Sequence, residues 1–419
     1  MKQKCRSFFV LVIAICLFAC TVSSGLTSQI EAPDEQSDVS ITIMETNAQN
    51  QEGDDTEVSE TPKFTVDAKA AILIEADTGK VLYTFNEHEP LPIASITKIM
   101  TMLLVMEAID SGKIAPTDSV TVSAYASKMG GSQVYLKEGE VFTVEELLKA
   151  VAVHSANDAS VALAEAIAGS EEAFVSMMNE KAEELGMKNT RFLDCTGLTD
   201  EGHYSTAADV AIMSRELIIK HPKIIHYTTI WHDTFRDGTF DLDNTNKLVK
   251  RYKGTTGIKT GFTNAAGFCL SASAEREGTK LISVLLGAKT NDLRFSESAR
   301  LLNYGFSNWE SVKIEKKGLE AGVVKVRKGI VTEIPVTYSE DAIVVVKKGS
   351  KDKITETLEI PEVVNAPVVE GQTIGVLNID IDGERLASIP VKAAKNSERC
   401  TLVKALGMLL NRWLTLSIR

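Results

Sequence analysis

The sequence predicts an α+β fold, in which one antiparallel sheet carries a helical cluster, followed by a small all-β domain and a C-terminal amphipathic helix. Three observations lead there. Strand-like runs stand at both ends of a helical middle, between about residues 69 and 306. Beyond Trp309 the pattern changes to short alternating segments separated by glycine and charged turns. From residue 399 to 419 apolar side chains recur at helical spacing. With 419 residues and 44% hydrophobic side chains, the chain is long enough for two or three units with proper cores.

Taken in order, residues 1–24 read as an export signal. Lys2, Lys4 and Arg6 precede an unbroken apolar run from Phe8 to Ala19, about twelve residues, too short to span a bilayer. Cleavage near Ser23 and Ser24 and lipid attachment at Cys20, after Leu17-Phe18-Ala19, both fit this stretch. Residues 25–62 are polar and acidic without an aromatic, and cannot bury enough apolar surface to offset their ordering entropy, so they read as a disordered tether. The α+β domain spans 63–310. In it, 70–75 and 80–85 form a hairpin around Asp77-Thr78-Gly79, and 95–109, 144–153 and 159–168 are helical. Residues 267–274 and 280–286 are strands, and 297–304 is the final helix. The all-β domain, 311–395, takes its strands from 323–326, 333–336, 342–346 and 373–379.

The terminal helix, 397–419, places Leu402, Leu406, Leu409, Trp413 and Leu416 on one side and Lys404, Asn411, Thr415 and Arg419 on the other. Four cations (Arg399, Lys404, Arg412, Arg419) face one nearby acid, Glu398, and an interfacial Trp accompanies them. That pattern predicts a helix lying in an anionic membrane surface; docking on its own domain is the alternative.

Charge narrows the function classes. The net charge is −12, unevenly spread: +3 in residues 1–20, −10 in 21–60 and −5 in the remainder. An acidic balance argues against nucleic acid as a partner. After the signal, Cys195, Cys269 and Cys400 remain; three widely spaced cysteines make no disulfide framework and read as buried thiols. The six histidines (His88, His154, His203, His221, His226, His232) fall in no HExxH or comparable ligand pattern, so no metal or other cofactor is expected. No GxSxG elbow occurs either.

What does occur is Ser95-Ile96-Thr97-Lys98 at the start of an apolar helix. Residues three apart share a helix face, so the Ser95 hydroxyl and the Lys98 amine can meet. A serine hydroxyl is a weak nucleophile until a base takes its proton, and lysine is a base only when neutral. Neutrality at pH 7 demands a depression of about 3 pKa units, roughly 4 kcal/mol, which burial and a second nearby cation can supply. The same spacing recurs at Ser350 and Lys353 in a charge-rich stretch with no apolar helix behind it, and there it reads as a solvated turn.

Two further motifs follow: Ser155-Ala156-Asn157, 60 residues after Ser95, and Lys259-Thr260-Gly261, 104 residues after Ser155. The ordered set SxxK, SxN and KTG marks penicillin-binding proteins and serine β-lactamases. The chain resembles the low-molecular-mass penicillin-binding proteins, serine-type D-alanyl-D-alanine carboxypeptidases. The likeness runs through EADTGKVLY (75–83), IASITKIMT (93–101), HSANDASVALAE (154–165), GLTDEGHYSTAAD (197–209) and TGIKTGFTNAAGFCLSASA (256–274).

The resemblance implies an exported enzyme on the outer face of the bacterial cytoplasmic membrane that removes the terminal D-alanine of peptidoglycan stem pentapeptides. Its acyl-enzyme would form on Ser95, and β-lactams would act as inhibitors by acylating it. Ser155 would relay a proton to the leaving amine. Asn157 would hold Lys98 and the substrate amide, and Lys259 would be the second cation and attract the substrate carboxylate with Thr260. Gly261 would let the backbone approach the substrate. The N–H groups of Ser95 and Phe262 would form the oxyanion hole, with Phe262 standing where other members carry His or Tyr. Arg294 is a candidate for the carboxylate, equally readable as a surface residue. No ExxLN-type glutamate lies between Ser155 and Lys259, so slow release of a bound penicillin is expected; His203 in the 197–209 loop is a candidate influence on the water. D,D-endopeptidase or weak β-lactamase activity on the same scaffold, and a silent peptidoglycan-binding protein, are the rivals.

Overall fold

A computed structural model describes residues 65–199 and 201–416. The expected signal and tether, with Cys20, lie outside the described residues. Five antiparallel strands form the central sheet in the spatial order Val81–Phe85, Ala70–Glu75, Thr279–Ala288, Gly267–Arg276 and Thr255–Thr263. The first two make the expected hairpin, whose turn is tied by Glu75: its carboxylate accepts from the Thr78 N–H at 2.8 Å and hydroxyl at 2.6 Å.

All six residues of Ala70–Glu75 are buried, because both faces of the sheet are covered. Side chains alternate between faces along a strand. Accordingly Ile72 and Ile74 join the helical cluster, while Ala71 and Leu73 pack with Leu301, Leu302 and Phe306 of the helix Asn291–Asn308. That final helix starts earlier and ends later than 297–304. Its N-terminus is set by Thr290, whose side chain accepts from the Leu293 N–H.

The helical cluster is centred on Lys98–Asp110, which follows a 3₁₀ turn at Ala94–Thr97. Its residues from Lys98 to Met106 are all buried, so the segment is apolar on every side, as a helix surrounded by others must be. Around it stand Asn157–Ala168, Glu171–Glu184 and Ala207–Lys220. The helix expected over 144–153 is two pieces: an α-helix Val144–Lys149, opened by a capping box between Thr143 and Glu146, and a π-helical turn Ala150–His154. The wide turn ends the helix at Ser155, and such π-turns concentrate at functional sites.

From Trp309 to Ala393 the chain is built of strands, apart from a short 3₁₀ turn at Lys351–Lys353. Six strands stand in the order Ile354–Glu359, Thr373–Ile381, Glu384–Ala393, Glu333–Tyr338, Glu320–Arg327 and Val363–Asn365, with Trp309–Ile314 pairing Ala342–Lys347 beside them. Ile314, Val344, Val346, Leu377, Ile379 and Ile389 form one of its small cores. The helix Leu402–Leu416 closes the described chain with Leu402, Val403, Leu406, Leu409, Leu410 and Trp413 exposed, Trp413 at 71%. Among the described residues no helix is long and apolar enough to cross a membrane. Cys195 and Cys269 are buried as expected, whereas Cys400, just ahead of this exposed helix, is only half-buried.

Candidate active site

Ser95 and Lys98 meet as their spacing predicts: the Lys98 amine donates to the Ser95 hydroxyl at 2.9 Å and to the Thr196 carbonyl at 2.8 Å. Lys98 is 0% exposed, while Ser95 is half-buried at the mouth. Burial draws the Lys98 pKa down to about 7, against the opposing pull of its surroundings, including Asp194 and Asp158. The neighbouring Cys195 thiol is pushed well above its ordinary value by burial, so it stays neutral beside the amine.

Lys259 is also fully buried, and its amine donates to the Thr260 carbonyl at 3.0 Å. Burial is again the main cause of a pKa well below the ordinary value, followed by repulsion from Lys98 and from Arg294. The sequence predicts that burial and a second nearby cation together supply the depression of Lys98. Here burial dominates, and the repulsion between the two amines belongs to the pair: protonating either disfavours protonating the other.

Thr260 donates to the Thr245 hydroxyl at 2.7 Å, and the Thr245 N–H donates to the Val153 carbonyl at 3.2 Å. The KTG strand and the π-turn before Ser155 are thereby tied together. Ser155, buried, sits in the left-handed region at φ 66°, and Ala94, just before Ser95, at φ 49°. Non-glycine residues held there cost of order 1–3 kcal/mol each, and such strain gathers at functional sites.

One expectation is corrected, and three other residues gain a structural context. Asn157 does not hold Lys98: its amide donates to the Gly130 carbonyl at 2.6 Å, and its Oδ1 is buried without a partner. Gly261 serves a contact within the fold, because a Cβ there would lie 2.7 Å from the Ile93 carbonyl and 3.2 Å from Ile96; its missing side chain lets the KTG strand touch the nucleophile turn. Arg294 is not at the surface, and its Nε is buried without a partner. It is buried behind the KTG strand, donates to the Gly261 carbonyl at 3.0 Å, and packs over Phe268 and Phe295. Burial draws its pKa down to about 10, so it remains a cation beside Lys259. His203 is buried behind the nucleophile, 2.8 Å from the Thr97 hydroxyl, and accepts from the Leu193 N–H at 3.2 Å. It pins the 193–205 loop to the 3₁₀ turn.

Phe262 is 51% exposed, and its ring stacks on Phe268 with centroids 4.3 Å apart.

The sequence reading missed the loop that presents Thr196. Asp194 accepts from the N–H groups of Thr196 at 2.7 Å, Gly197 at 2.5 Å and Thr199 at 2.8 Å. Although burial pushes its pKa up, these bonds and the nearby His203 hold it well below the carboxylate range. Gly197 has φ 78°, and a Cβ there would fall 1.9 Å from the Ala94 carbonyl. Asp158, also unremarked in the sequence, accepts from the Val134 and Leu136 N–H groups and so fixes the 130–136 loop beside Asn157.

A family model for D-alanyl-D-alanine carboxypeptidase, Peptidase_S11, matches residues 55–290, and one for the penicillin-binding protein 5 C-terminal domain matches 309–399. The chain is 45% identical over 357 residues to the D-alanyl-D-alanine carboxypeptidase DacF of Bacillus subtilis, covering 84% of this chain and 92% of that one. Penicillin-binding protein 5 of Haemophilus influenzae superposes with a TM-score of 0.73 at 31% identity, over 81% of this chain and all of that one. Penicillin-binding protein D2 of Listeria monocytogenes, in its ampicillin-bound form, does so at 0.54 and 33% identity, over 59% of this chain and all of that one. A buried lysine on a serine, framed by SxN and KTG elements in a chain of this likeness, leaves one assignment: the protein belongs to the D-alanyl-D-alanine carboxypeptidase family, among the low-molecular-mass penicillin-binding proteins.

Proposed function

We propose that the protein is a serine D,D-carboxypeptidase that removes the terminal D-alanine of peptidoglycan stem pentapeptides through an acyl-enzyme on Ser95. The observation that carries this is the 2.9 Å contact between the Ser95 hydroxyl and a Lys98 amine whose pKa lies at about 7. Neutral Lys98 takes the hydroxyl proton as the oxygen attacks the penultimate D-alanine carbonyl. The Ser95 and Phe262 N–H groups receive the oxyanion, and Ser155 passes a proton to the departing D-alanine amine. Lys259 and Thr260 draw the terminal carboxylate, which favours the charged form of Lys259 and therefore the neutral form of Lys98. Asn157 Oδ1, buried and unpartnered, supplies an acceptor for a substrate amide. Arg294 acts from behind, by fixing Gly261 and adding positive charge. Water then releases the acyl group, and a β-lactam enters the same route through its ring carbonyl.

The protein is exported by residues 1–24 and held at the outer face of the membrane by its terminal helix, whose exposed apolar side chains and cations suit an anionic interface. Purified protein incubated with a pentapeptide should release free D-alanine, one per peptide. Cleavage only of cross-linked muropeptides would replace this reading with the endopeptidase one.

A further inference from the structure

The exposed helix is not the only apolar surface at the end of the molecule. The turn between strands Glu320–Arg327 and Glu333–Tyr338 carries Ile330 and Val331 at its apex, 37% and 41% exposed, in a position where polar residues are usual. Their buried neighbours Val326, Ile334 and Val368 form a small core that leaves these two outside. Val369, 61% exposed, follows Val368 of that core in the chain. The turn is held to the chain entering the helix by three bonds: the Ile330 N–H donates to the Glu398 carbonyl at 2.8 Å, the Cys400 N–H to the Lys328 carbonyl at 2.7 Å, and the Ser397 hydroxyl to the Val331 carbonyl at 2.7 Å.

Cys400 stands two residues before Leu402, the first residue of the helix. Two extended residues reach about 7 Å at most. A helix lying in a bilayer surface sits about 5–10 Å into the headgroup boundary, so the turn is within reach of that depth wherever the helix begins. Arg327, Lys328 and Arg399 are exposed around the apolar patch. Of the acids beside them, Glu398 is paired with Lys404, leaving Glu333 and Glu370 opposed to three cations. Cations ringing an apolar tip match anionic headgroups over acyl chains.

We infer that the turn of residues 328–331 inserts into the anionic lipid surface beside the helix, giving the protein a second, rigid point of membrane contact. This rests on the membrane reading of the helix. A single flexible link would let the β domain pivot over the bilayer; two joined contacts fix its inclination.

The test is sedimentation of the full chain with vesicles of phosphatidylglycerol and phosphatidylethanolamine. The double variant Ile330→Asp, Val331→Asp should partition about tenfold more weakly, equivalent to about 1.4 kcal/mol. The milder Ile330→Ala, Val331→Ala should lose about threefold, and decides the matter if the first does not fold. Both variants should be acylated by penicillin at the wild-type rate, since the turn packs on Val326, Ile334 and the 397–400 segment and on no residue of the Ser95 site. Wild-type partition of the variants, alongside release of a chain truncated after Cys400, overturns the second contact and leaves the helix reading standing. Undiminished binding of the truncated chain overturns the helix reading itself.

Discussion

Ser95 and Lys98 share their spacing with Ser350 and Lys353, and the two pairs stand in opposite environments. The first lies at the head of a helix with no exposed face, its amine enclosed and drawn down to about pH 7 by burial. The second lies on an exposed 3₁₀ turn, where Lys353 pairs with Asp382 at 3.2 Å and both side chains are more than half exposed. An exposed pair of that kind contributes about 0–1 kcal/mol and leaves the lysine hydrated. The difference teaches that the tetrapeptide supplies only proximity. Basicity comes from the helices packed around Lys98 and from the Asp194 loop that gives its amine a carbonyl to hold.

The comparison breaks most sharply at Lys98. Lys98→Met should abolish acylation by penicillin and yet stabilise the fold by roughly 1–3 kcal/mol at pH 7. The folded pKa of about 7 lies below the unfolded 10.5, so keeping the amine inside costs of order 4 kcal/mol at neutral pH, partly offset by its two hydrogen bonds. The gain should be largest below pH 7 and fade toward pH 10.5, which urea unfolding at several pH values will show.

Next in size is Gly197→Ala. Its Cβ would fall against the Ala94 carbonyl at a positive φ, so the nucleophile turn must shift. Acylation should drop about a hundredfold, with a loss of about 2–4 kcal/mol in stability, measured by stopped-flow fluorescence and thermal melts.

A smaller effect sharpens the contrast without a mutation. If neutral Lys98 is the base, the acylation rate of the wild type should rise about tenfold from pH 6 to 7.5 and level off above. A rate flat across that range would mean that another group takes the proton. The smallest effect is expected at the second pair: Ser350→Ala with Lys353→Met should change neither acylation nor melting temperature measurably.

How much of this was legible in the sequence depends on range. The hairpin, the buried helix and the three motifs were readable because periodicity and spacing are local properties. The break at Ala150–His154 was not, since the apolar pattern there is compatible with either turn width. Asp194-Cys195-Thr196-Gly197 did carry a signal, an acidic residue followed by Thr and Gly that favours a side-chain-to-backbone turn, but nothing local told that its carbonyl meets Lys98. The contacts of Gly261 and Arg294 were not legible for the same reason: what each touches, Ile93 in one case and the back of the KTG strand in the other, lies 33 or more residues away.

The most direct test of the account is mass spectrometry of the protein after incubation with penicillin, followed by peptide mapping. The account predicts one added penicillin, carried by the peptide containing Ser95, and none in Ser95→Ala. An adduct on the Ser350 peptide, or equal labelling of wild type and Ser95→Ala, would contradict it.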